Sequence, residues 1–274
     1  MHVISLINMK GGVSKTTLAI NIADYLSTKE YKKVLIIDVD PQFNATQCLM
    51  SPEDYGKHLQ EDKDTIVKIF DRNRPIPSSV GKKEINTVKK LSDISVVSIK
   101  ENLYLLPGNL DLFRLEMAPG DGRENRLNNY LKKVEDKYDF VIIDTPPTPS
   151  VWMTSALIAS DYYLIPVKPD PISLTGIDLL KSIIEDKKEN YALSIECIGL
   201  VLTIVEERTT VFREAKENLK NDDYWKGKLY NSFLKKRIEI AKEQLNRQQI
   251  LDCSSSEAKL EIRKVVMELL GKIK

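Results

Sequence analysis

The sequence has no long apolar run, and this absence excludes membrane-spanning proteins. Nowhere in the 274 residues is there the stretch of roughly 18 apolar residues that a helix needs to cross a bilayer. The first residues also lack a charged segment, an apolar core and a small-residue cleavage site, so we expect no secretory signal. These absences predict a cytoplasmic protein.

Cysteine and histidine are scarce, which excludes several kinds of metal and disulfide chemistry. Cys48, Cys197 and Cys253 are scattered and form no C-x-x-C pair, so neither a disulfide framework nor a zinc site is expected. An iron–sulfur cluster, which paired cysteines would hold, is not expected for the same reason. His2 and His58 are isolated and do not suggest a metal centre.

Neither sign of charge dominates the chain. Lys and Arg total 41 and Asp and Glu total 40, which gives a formal net charge of +1. Any affinity for nucleic acid must therefore come from a local basic patch, because the molecule as a whole has no strong field. The length is sufficient for a full hydrophobic core in one large domain or two small ones.

Apolar, β-branched runs alternate with longer amphipathic stretches. The predicted strands cover residues 3–8, 33–38, 102–108, 140–144, 162–167, 198–204 and 229–233. Several are apolar at consecutive positions, which is typical of strands covered on both faces. Helical patterns separate them, as over residues 16–30. This alternation predicts an α/β doubly wound, mostly parallel sheet of seven or eight strands flanked by helices.

The least regular stretch lies at about residues 51–100. It contains D-R-N-R-P-I-P-S-S-V-G-K-K, with two prolines and a high density of charge. We interpret it as an insertion or irregular excursion between the second and third predicted strands. Its composition does not indicate a function.

The segment N-M-K-G-G-V-S-K-T-T, residues 8–17, follows the first predicted strand and opens a helix. It is similar to the phosphate-loop pattern G-x-x-x-x-G-K-[ST], although Met9 and Ser14 occupy the two glycine positions. Gly11 and Gly12 allow close approach of the backbone to an oxygen. The amides from Gly11 to Thr16 can then converge on a phosphate at the positive end of the helix. Ser14 retains its N–H, but its backbone must tolerate a Cβ.

The side chains of Lys15 and Thr16 complete this loop chemically, and carboxylates elsewhere in the chain can join them. Lys15 can supply a point charge to the β- and γ-phosphates, and the Thr16 hydroxyl is a suitable Mg²⁺ ligand. Asp38 and Asp40 follow the second strand with one residue between them, so both side chains face the same crevice. Asp144 ends another apolar strand, in Y-D-F-V-I-I-D.

These motifs carry a family resemblance. K-G-G-V-S-K-T-T resembles the deviant Walker A motif, [KR]-G-G-x-G-K-[ST], of the ParA/MinD ATPases, with Ser14 in place of a glycine. D-V-D-P-Q-F-N-A-T resembles their D-x-D-P-Q-x-N-A-T segment, with Phe43 in place of another glycine. Three further segments resemble family motifs in the same order: N-L-Y-L-L-P-G, the Walker B strand with D-T-P-P, and L-I-P-V-K-P-D-P-I-S-L-T-G.

The resemblance implies a P-loop ATPase that uses ATP and Mg²⁺ and hydrolyses ATP slowly on its own. The implied nucleotide-binding residues are Lys10, Gly11, Gly12, Val13, Ser14, Lys15, Thr16 and Thr17. The implied catalytic residues are Asp40, which positions the attacking water, Lys15, and the signature Lys10, which reaches the partner subunit's nucleotide. The implied metal residues are Thr16, Asp144, which acts through a water, and Asp38, which supports the metal-side hydrogen bonds.

Within the family, the chain looks more like a short ParA than like MinD or a ParA repressor. Its loop starts at residue 8, which leaves no room for a preceding helix-turn-helix domain, so we expect a single domain over residues 1–274. The amphipathic segment 257–274 carries Glu257, Glu261 and Glu268, which an anionic membrane surface disfavours. We expect this segment to pack on the sheet, with no stable membrane association.

The implied function is the segregation of a plasmid or chromosome. ATP closes a homodimer, the dimer binds DNA without sequence preference, and a ParB-like centromere-binding partner stimulates hydrolysis and release. The protein would then lie on the nucleoid when it is bound to ATP. The alternative is a MinD-like or other positioning ATPase that acts on a membrane or protein cargo.

A basic segment near the end of the chain is the candidate DNA-binding surface. Its cations are Lys235, Lys236, Arg237, Lys242 and Arg247, against only Glu239 and Glu243. Such a cluster contacts phosphates electrostatically, without reading the sequence. The alternative is an ordinary solvated helix face.

Overall fold

The computed structural model describes residues 1–71, 89–117, 120 and 122–273, and only the backbone of 171–175. Its strands are β1 His2–Leu6, β2 Val34–Asp38, β3 Val97–Lys100, β4 Leu103–Leu106, β5 Phe140–Asp144, β6 Tyr162–Val167, β7 Glu196–Val205 and β8 Leu229–Lys235. Its helices are α1 Lys15–Lys29, α2 Asn44–Leu49, α3 Pro52–Gln60, α4 Val67–Phe70, α5 Asp111–Met117, α6 Arg126–Leu131, α7 Val151–Ala159, α8 Pro171–Tyr191, α9 Thr210–Asn221, α10 Ile238–Leu245 and α11 Ser256–Leu270.

The strands form one eight-stranded sheet in the order β3-β4-β2-β5-β1-β6-β7-β8. All neighbouring pairs are parallel except β3 with β4. The predicted doubly wound, mostly parallel sheet is therefore confirmed. All seven predicted strands are present, with ends that agree to within two residues. β3 is the strand that the sequence did not predict.

Successive residues of the strands face two separate layers of core, which explains their apolar runs. In β1, Ile4 and Leu6 pack with Leu18 of α1 and Val265 of α11, while Val3 packs in a cluster on the opposite face. β2, β5 and β6 are buried along their whole length. Because both faces are covered, the carboxyl ends of the strands are where polar side chains collect.

The described parts of residues 51–100 are more regular than the sequence suggested, since they contain α3, α4 and β3. The proline-containing run falls mainly on residues outside the described part. A hairpin turn joins β3 to β4, and Asn102 takes a left-handed φ of 59° there. Lys100 of β3 forms an ion pair with Asp24 of α1, which is fully buried. This pair fastens the antiparallel edge of the sheet to α1.

The C-terminal amphipathic segment packs on the sheet, as predicted. α11 begins after Ser255, whose hydroxyl accepts a hydrogen bond from the Ala258 amide. Its buried residues are Ala258, Ile262, Val265, Val266 and Leu269. Among the residues that the structure describes, no helix combines the length and apolar character needed to span a bilayer.

α11 also covers the edge strand β8 with carboxylates. Glu268 accepts hydrogen bonds from the amides of Asn231 and Ser232, at 2.9 and 3.1 Å. Glu261 accepts one from the Lys235 amide at 3.1 Å. Three N–H groups of the outermost strand are therefore already bonded to side chains of the same chain.

Candidate functional site

The predicted phosphate loop joins the end of β1 to the start of α1. Gly12 has φ 72° and Ser14 has φ 59°, so both lie in the left-handed region. A Cβ added at Gly11 or Gly12 would meet no atom within 4 Å, so the glycines border open space. Ser14 is the N-cap of α1 and makes no side-chain cap hydrogen bond. The loop thus presents helix N–H groups that the side chain of Ser14 does not satisfy.

The backbone of Ser14 is strained at this position. L-residues with a Cβ are disfavoured in the left-handed region, which glycine occupies freely. The expectation that the backbone accommodates a Cβ holds only with strain. Phe43 also has a left-handed φ, of 43°, and it is the second position where the family pattern has glycine. Its ring stacks on Tyr55 with centroids 5.3 Å apart, which offsets part of its strain.

Three carboxylates and one lysine converge beside the loop. Asp38 and Asp144 are paired in register at the carboxyl ends of adjacent strands β2 and β5. Thr16 Oγ1 donates a hydrogen bond to Asp144 Oδ2 at 2.7 Å. Lys15 is 8% exposed. Burial lowers the pKa of Lys15, while Asp144 and Asp40 oppose that shift.

One carboxylate oxygen of Asp144 lacks a hydrogen-bond partner among the described residues. This oxygen, Oδ1, is buried. Burial raises the pKa of Asp144 to about 6, although the hydrogen bond from Thr16 and the charge of Lys15 counteract it. A buried carboxylate oxygen without a partner is expected where a cation or its bound water completes the site. Thr16 and Asp144 therefore fit a Mg²⁺ ion.

Asp38 differs from the other two aspartates because both of its carboxylate oxygens accept hydrogen bonds. Its Oδ2 accepts hydrogen bonds from both the amide and the hydroxyl of Thr46, each at 2.8 Å. Its Oδ1 accepts a weaker one from the Asp40 amide at 3.3 Å. The Gly108 amide in turn donates to Thr46 Oγ1 at 2.8 Å. Because its oxygens already have these partners, Asp38 is placed to hold the turn that carries Asp40. Its predicted support of the metal-side hydrogen bonds stays a prediction.

Asp40 lies at the cavity itself. The cavity has a volume of about 320 Å³ and is lined by Gly11, Gly12, Val13, Ser14, Lys15, Thr16, Thr17, Asp40, Gln42, Asn44, Cys48, Pro147 and Gln244. The Gln42 amide donates to Asp40 Oδ1 at 2.9 Å. Burial raises the pKa of Asp40, against the opposing effects of that amide and Lys15. Seven of the eight predicted nucleotide-binding residues thus border one cavity with Asp40.

Lys10 is the eighth, and it turns away from this cavity. Its Nζ lies 2.7 and 2.9 Å from the two carboxylate oxygens of Asp170, in the turn after β6. The Lys10 amide donates to Asn8 Oδ1 at 2.8 Å, and Asn8 Nδ2 donates to the Pro166 carbonyl at 2.7 Å. Asn8 and Asp170 were not predicted as site residues, because the bonds from Asn8 to Pro166 and from Lys10 to Asp170 join segments distant in sequence.

A second cavity adjoins the first on its apolar side. It also measures about 320 Å³, and its lining includes Ser14, Thr17, Ile204, Leu234, Ile240 and Gln244. Ser14, Thr17 and Gln244 border both cavities. The Gln244 amide group lies within hydrogen-bond distance of Thr17 Oγ1, with its Nε2 at 3.0 Å. The phosphate loop therefore has a polar cavity on one side and an apolar one on the other.

The structure divides the predicted DNA-binding residues into two groups. Three are ion-paired: Lys235 with Glu207 at 2.7 Å, Lys236 with Glu206 at 2.7 Å, and Arg237 with Glu257 and Glu261 at 2.9 and 2.7 Å. Lys242, on α10, and Arg247, in the turn after it, are exposed. The glutamates come from the loop after β7 and from α11, so local sequence did not reveal them.

Comparison with known proteins gives consistent matches over most of the chain. A family model described as an AAA domain matches residues 1–197. The sporulation initiation inhibitor protein Soj of Bacillus subtilis is 30% identical over 243 residues, covering 87% of this chain and 86% of Soj. The cell division protein PomZ of Myxococcus xanthus is 31% identical over 215 residues, covering 78% of this chain and 60% of PomZ.

A solved structure extends the likeness to the whole chain. It is that of a plasmid partition protein of Borrelia burgdorferi bound to AMPPNP, which is 25% identical and superposes with a TM-score of 0.75. The match covers 99% of both chains. The same fold therefore accommodates a triphosphate analogue in that relative.

Proposed function

Because this chain belongs to the ParA/MinD family of ATPases, we propose that it segregates a plasmid or chromosome. ATP binding closes a homodimer, the dimer binds DNA without sequence preference, and a ParB-like centromere-binding protein stimulates hydrolysis and release. The likeness to a plasmid partition protein over 99% of both chains supports this function. The proposal treats residues 1–274 as one ATPase domain, located in the cytoplasm and on the nucleoid when it is bound to ATP.

The phosphates occupy the polar cavity beside the loop. Helix N–H groups and the Lys15 ammonium neutralise their oxygens, and burial strengthens this attraction because little water competes. Thr16 Oγ1 and Asp144, whose Oδ1 lacks a partner among the described residues, would hold Mg²⁺ directly or through water. When bound, the ion would supply positive charge that neutralises the phosphate oxygens. The adjoining apolar cavity is the place for the base.

Hydrolysis depends on Asp40. It borders the cavity next to the loop, and the Gln42 amide fixes one of its oxygens. From there it orients a water molecule toward the γ-phosphorus, so that ADP and inorganic phosphate are formed. Asp38 is fixed by the Thr46 hydrogen bonds and accepts a hydrogen bond from the Asp40 amide, which keeps Asp40 in place.

The position of Lys10 is the observation that carries the dimer proposal. Lys10 does not border the cavity of its own chain, and its side chain is 34% exposed in the ion pair with Asp170. A cation at the rim of one site can reach a second nucleotide that faces it across a dimer interface. Two triphosphates placed face to face repel each other, and a lysine from each partner offsets that repulsion. Dimerisation then depends on the γ-phosphate, which makes nucleotide state a switch.

DNA binding rests first on Lys242 and Arg247. Both are exposed on or just after α10, whose Gln244 contacts the phosphate loop through Thr17. The ion pairs of Lys235, Lys236 and Arg237 reduce the net charge that those residues offer to a phosphate backbone.

A second candidate function is the positioning of a cargo other than DNA. The 31% identity to the cell division protein PomZ favours it. Both functions use the same ATP-dependent dimer, and they differ in what the dimer binds.

The test measures dimerisation of wild type and Lys10→Ala by light scattering, with ADP and with a slowly hydrolysed ATP analogue. We expect wild type to dimerise only with the analogue. Lys10→Ala should bind nucleotide but stay monomeric and lose DNA binding, whereas the exposed control Lys226→Ala should behave as wild type. A Lys10→Ala protein that dimerises as well as wild type would refute the trans role of Lys10. A wild-type dimer that fails to bind DNA would favour cargo positioning.

A further inference from the structure

Phe43 closes the turn that carries Asp40, in a backbone conformation that favours glycine. Its φ is 43°, and its amide donates to the Asp40 carbonyl at 2.8 Å. Phe43 is also the N-cap of α2 and makes no side-chain cap hydrogen bond. A residue with a Cβ persists in the left-handed region only where the surrounding structure holds it there. A neighbouring group must therefore hold Phe43 in place.

Tyr55 of α3 supplies that contact. The two rings are stacked, with their centroids 5.3 Å apart and their planes inclined by 23°. The Tyr55 hydroxyl donates to the Gly108 carbonyl at 2.9 Å, so the ring is also fixed at its far end. Burial raises the pKa of the Tyr55 hydroxyl to about 12, and the group therefore stays protonated and able to donate at neutral pH. Tyr55 thus links α3 to the turn that carries Asp40.

Gly108, which follows β4, packs against the same turn. A Cβ on Gly108 would lie 2.7 Å from Phe43 Cβ and 2.9 Å from Asp38 Cγ. The Gly108 amide donates to Thr46 Oγ1, and that hydroxyl donates to Asp38. Phe43 therefore contacts Gly108 through its Cβ and Tyr55 through its ring, and the same network fixes Asp38.

The stack and the backbone strain are of similar size. The attraction within a stacked aromatic pair is comparable with the cost of a left-handed conformation for a residue that has a Cβ. Without the stack, a relaxed turn in which Phe43 leaves the left-handed region would compete with the native turn. Asp40 moves with this turn, because the Phe43 amide bonds to its carbonyl and the Gln42 amide bonds to its carboxylate.

We propose that Tyr55 is a positioning residue for ATP hydrolysis, because its stack on Phe43 holds the turn from which Asp40 orients the attacking water. This inference rests on the proposed function, since it requires Asp40 to act on that water. Phe43 and Tyr55, both in the described part of the chain, are not among the residues that line the polar cavity. Loss of the stack should therefore lower the rate of hydrolysis and leave nucleotide binding unchanged.

The residue at position 43 gives this proposal a specific signature. The family pattern has glycine where this chain has Phe43, and glycine adopts a left-handed φ freely. The stack is therefore needed in this chain because Phe43 has a Cβ. It follows that Phe43→Gly should make the ring of Tyr55 largely dispensable for hydrolysis.

The experiment measures steady-state ATP hydrolysis with Mg²⁺ and, by titration calorimetry, the affinity for AMPPNP. Tyr55→Ala should lower kcat about five- to tenfold, because removal of an aromatic stack leaves the competent turn in a minority of the molecules. Its affinity for AMPPNP should match that of wild type. Tyr55→Phe keeps the ring and should retain most of the activity that Tyr55→Ala loses.

The double variant Phe43→Gly with Tyr55→Ala separates positioning from general destabilisation. Tyr55→Ala should cost much less kcat in the Phe43→Gly background than in wild type, whereas a loss caused by destabilisation alone would be similar in both. Thermal unfolding shows whether each variant is folded. Tyr31→Ala is the matched control, because Tyr31 also has a left-handed φ, of 53°, but is 79% exposed in the turn before β2. It should hydrolyse ATP as wild type does.

Two kinds of result would overturn the proposal, and they are distinguishable. An unchanged kcat for Tyr55→Ala, a matching loss of AMPPNP affinity, or an equal loss of kcat in the Phe43→Gly background would remove Tyr55 from the hydrolytic step and leave the role of Asp40 intact. Wild-type turnover by Asp40→Ala would instead refute the role of Asp40 in the proposed function, and the positioning role of Tyr55 with it.

Discussion

We expect the ion pair between Asp24 and Lys100 to contribute measurably to the stability of the folded protein. Asp24 is fully buried on α1, and its Oδ1 receives Lys100 and, at 3.3 Å, the Thr28 hydroxyl. Its Oδ2 is buried without a partner among the described residues. Burial raises the pKa of Asp24, and Lys100 counteracts this effect. Lys100 therefore compensates a charge that the core would otherwise disfavour.

Replacing Lys100 with methionine keeps most of the apolar stem and removes the charge. Removing one partner of a buried pair costs about 3 to 5 kcal/mol, and we expect the lower end because the Lys100 side chain is 34% exposed. A loss of about 3 kcal/mol corresponds to a fall in melting temperature of roughly 6 to 12 °C for a domain of this size. Lys57→Met is the control. Lys57 pairs with Glu53 in an exposed i,i+4 arrangement, and its loss should cost less than about 0.5 kcal/mol.

Changing the pH tests whether the buried charge causes the loss. The folded-state pKa of Asp24 lies above its unfolded value, so the folded protein binds a proton more tightly than the unfolded chain. This group therefore destabilises the folded state at neutral pH, and that effect decreases as the pH falls through the folded pKa toward the unfolded value. Lys100→Met should thus recover part of its lost stability as the pH is lowered from neutral toward the unfolded-state pKa of Asp24, relative to wild type.

The double variant Asp24→Asn with Lys100→Met completes the test. It has no buried charge, so it should be more stable than Lys100→Met alone and should lose that variant's extra pH dependence. Thermal or urea unfolding, followed by circular dichroism, measures all four proteins. If Lys100→Met is no less stable than Lys57→Met, or if Asp24→Asn adds to its loss, the reasoning about a compensated buried charge is refuted.

Two further predictions concern the loop and the basic segment. Ser14→Gly removes a Cβ from a left-handed residue and should stabilise the protein by roughly 0.5 to 1 kcal/mol after the added freedom of the unfolded chain is subtracted. The control Ser182→Gly, at an exposed helical position of α8, should destabilise the protein. If thermal unfolding gives the two variants stability changes of the same sign, the strain argument is contradicted. Lys242→Ala with Arg247→Ala should weaken binding to unrelated DNA sequences equally and flatten the salt dependence by about one unit per lost phosphate contact. Arg237→Ala should instead lower stability, because Arg237 joins the turn after β8 to α11 through Glu257 and Glu261. Loss of binding to one DNA sequence alone would indicate base readout.

The parts of the fold that sequence could predict are those governed by local pattern. β5 and β6 are apolar at nearly every position because both faces are buried, and their predicted bounds match the structure. The phosphate loop could also be predicted, since its glycines, Lys15 and Thr16 lie within six consecutive residues.

The missed features depend on partners distant in sequence. β3 is four residues long, lies at the edge and is only half-buried, so its pattern resembles a loop. Asn102, which is left-handed in the turn between β3 and β4, was the one residue type there that indicated a hairpin, because asparagine is common at left-handed turn positions. Asp170 lies in the turn after β6, between Pro169 and Pro171, and only the folded chain brings it to Lys10. Ile204 of β7 has a left-handed φ of 54°. The sequence gives no sign of this, because isoleucine is a common residue in strands.

The carboxylates that α11 places along β8 also limit how copies of this protein can associate. An exposed edge strand is a template on which another chain can add a strand, and repeated addition produces a fibre. At Asn231, Ser232 and Lys235 the donors needed for such growth are bonded to Glu268 and Glu261. An incoming strand would have to displace two charged groups before it gained its first hydrogen bonds there. Association of copies through this edge is therefore disfavoured.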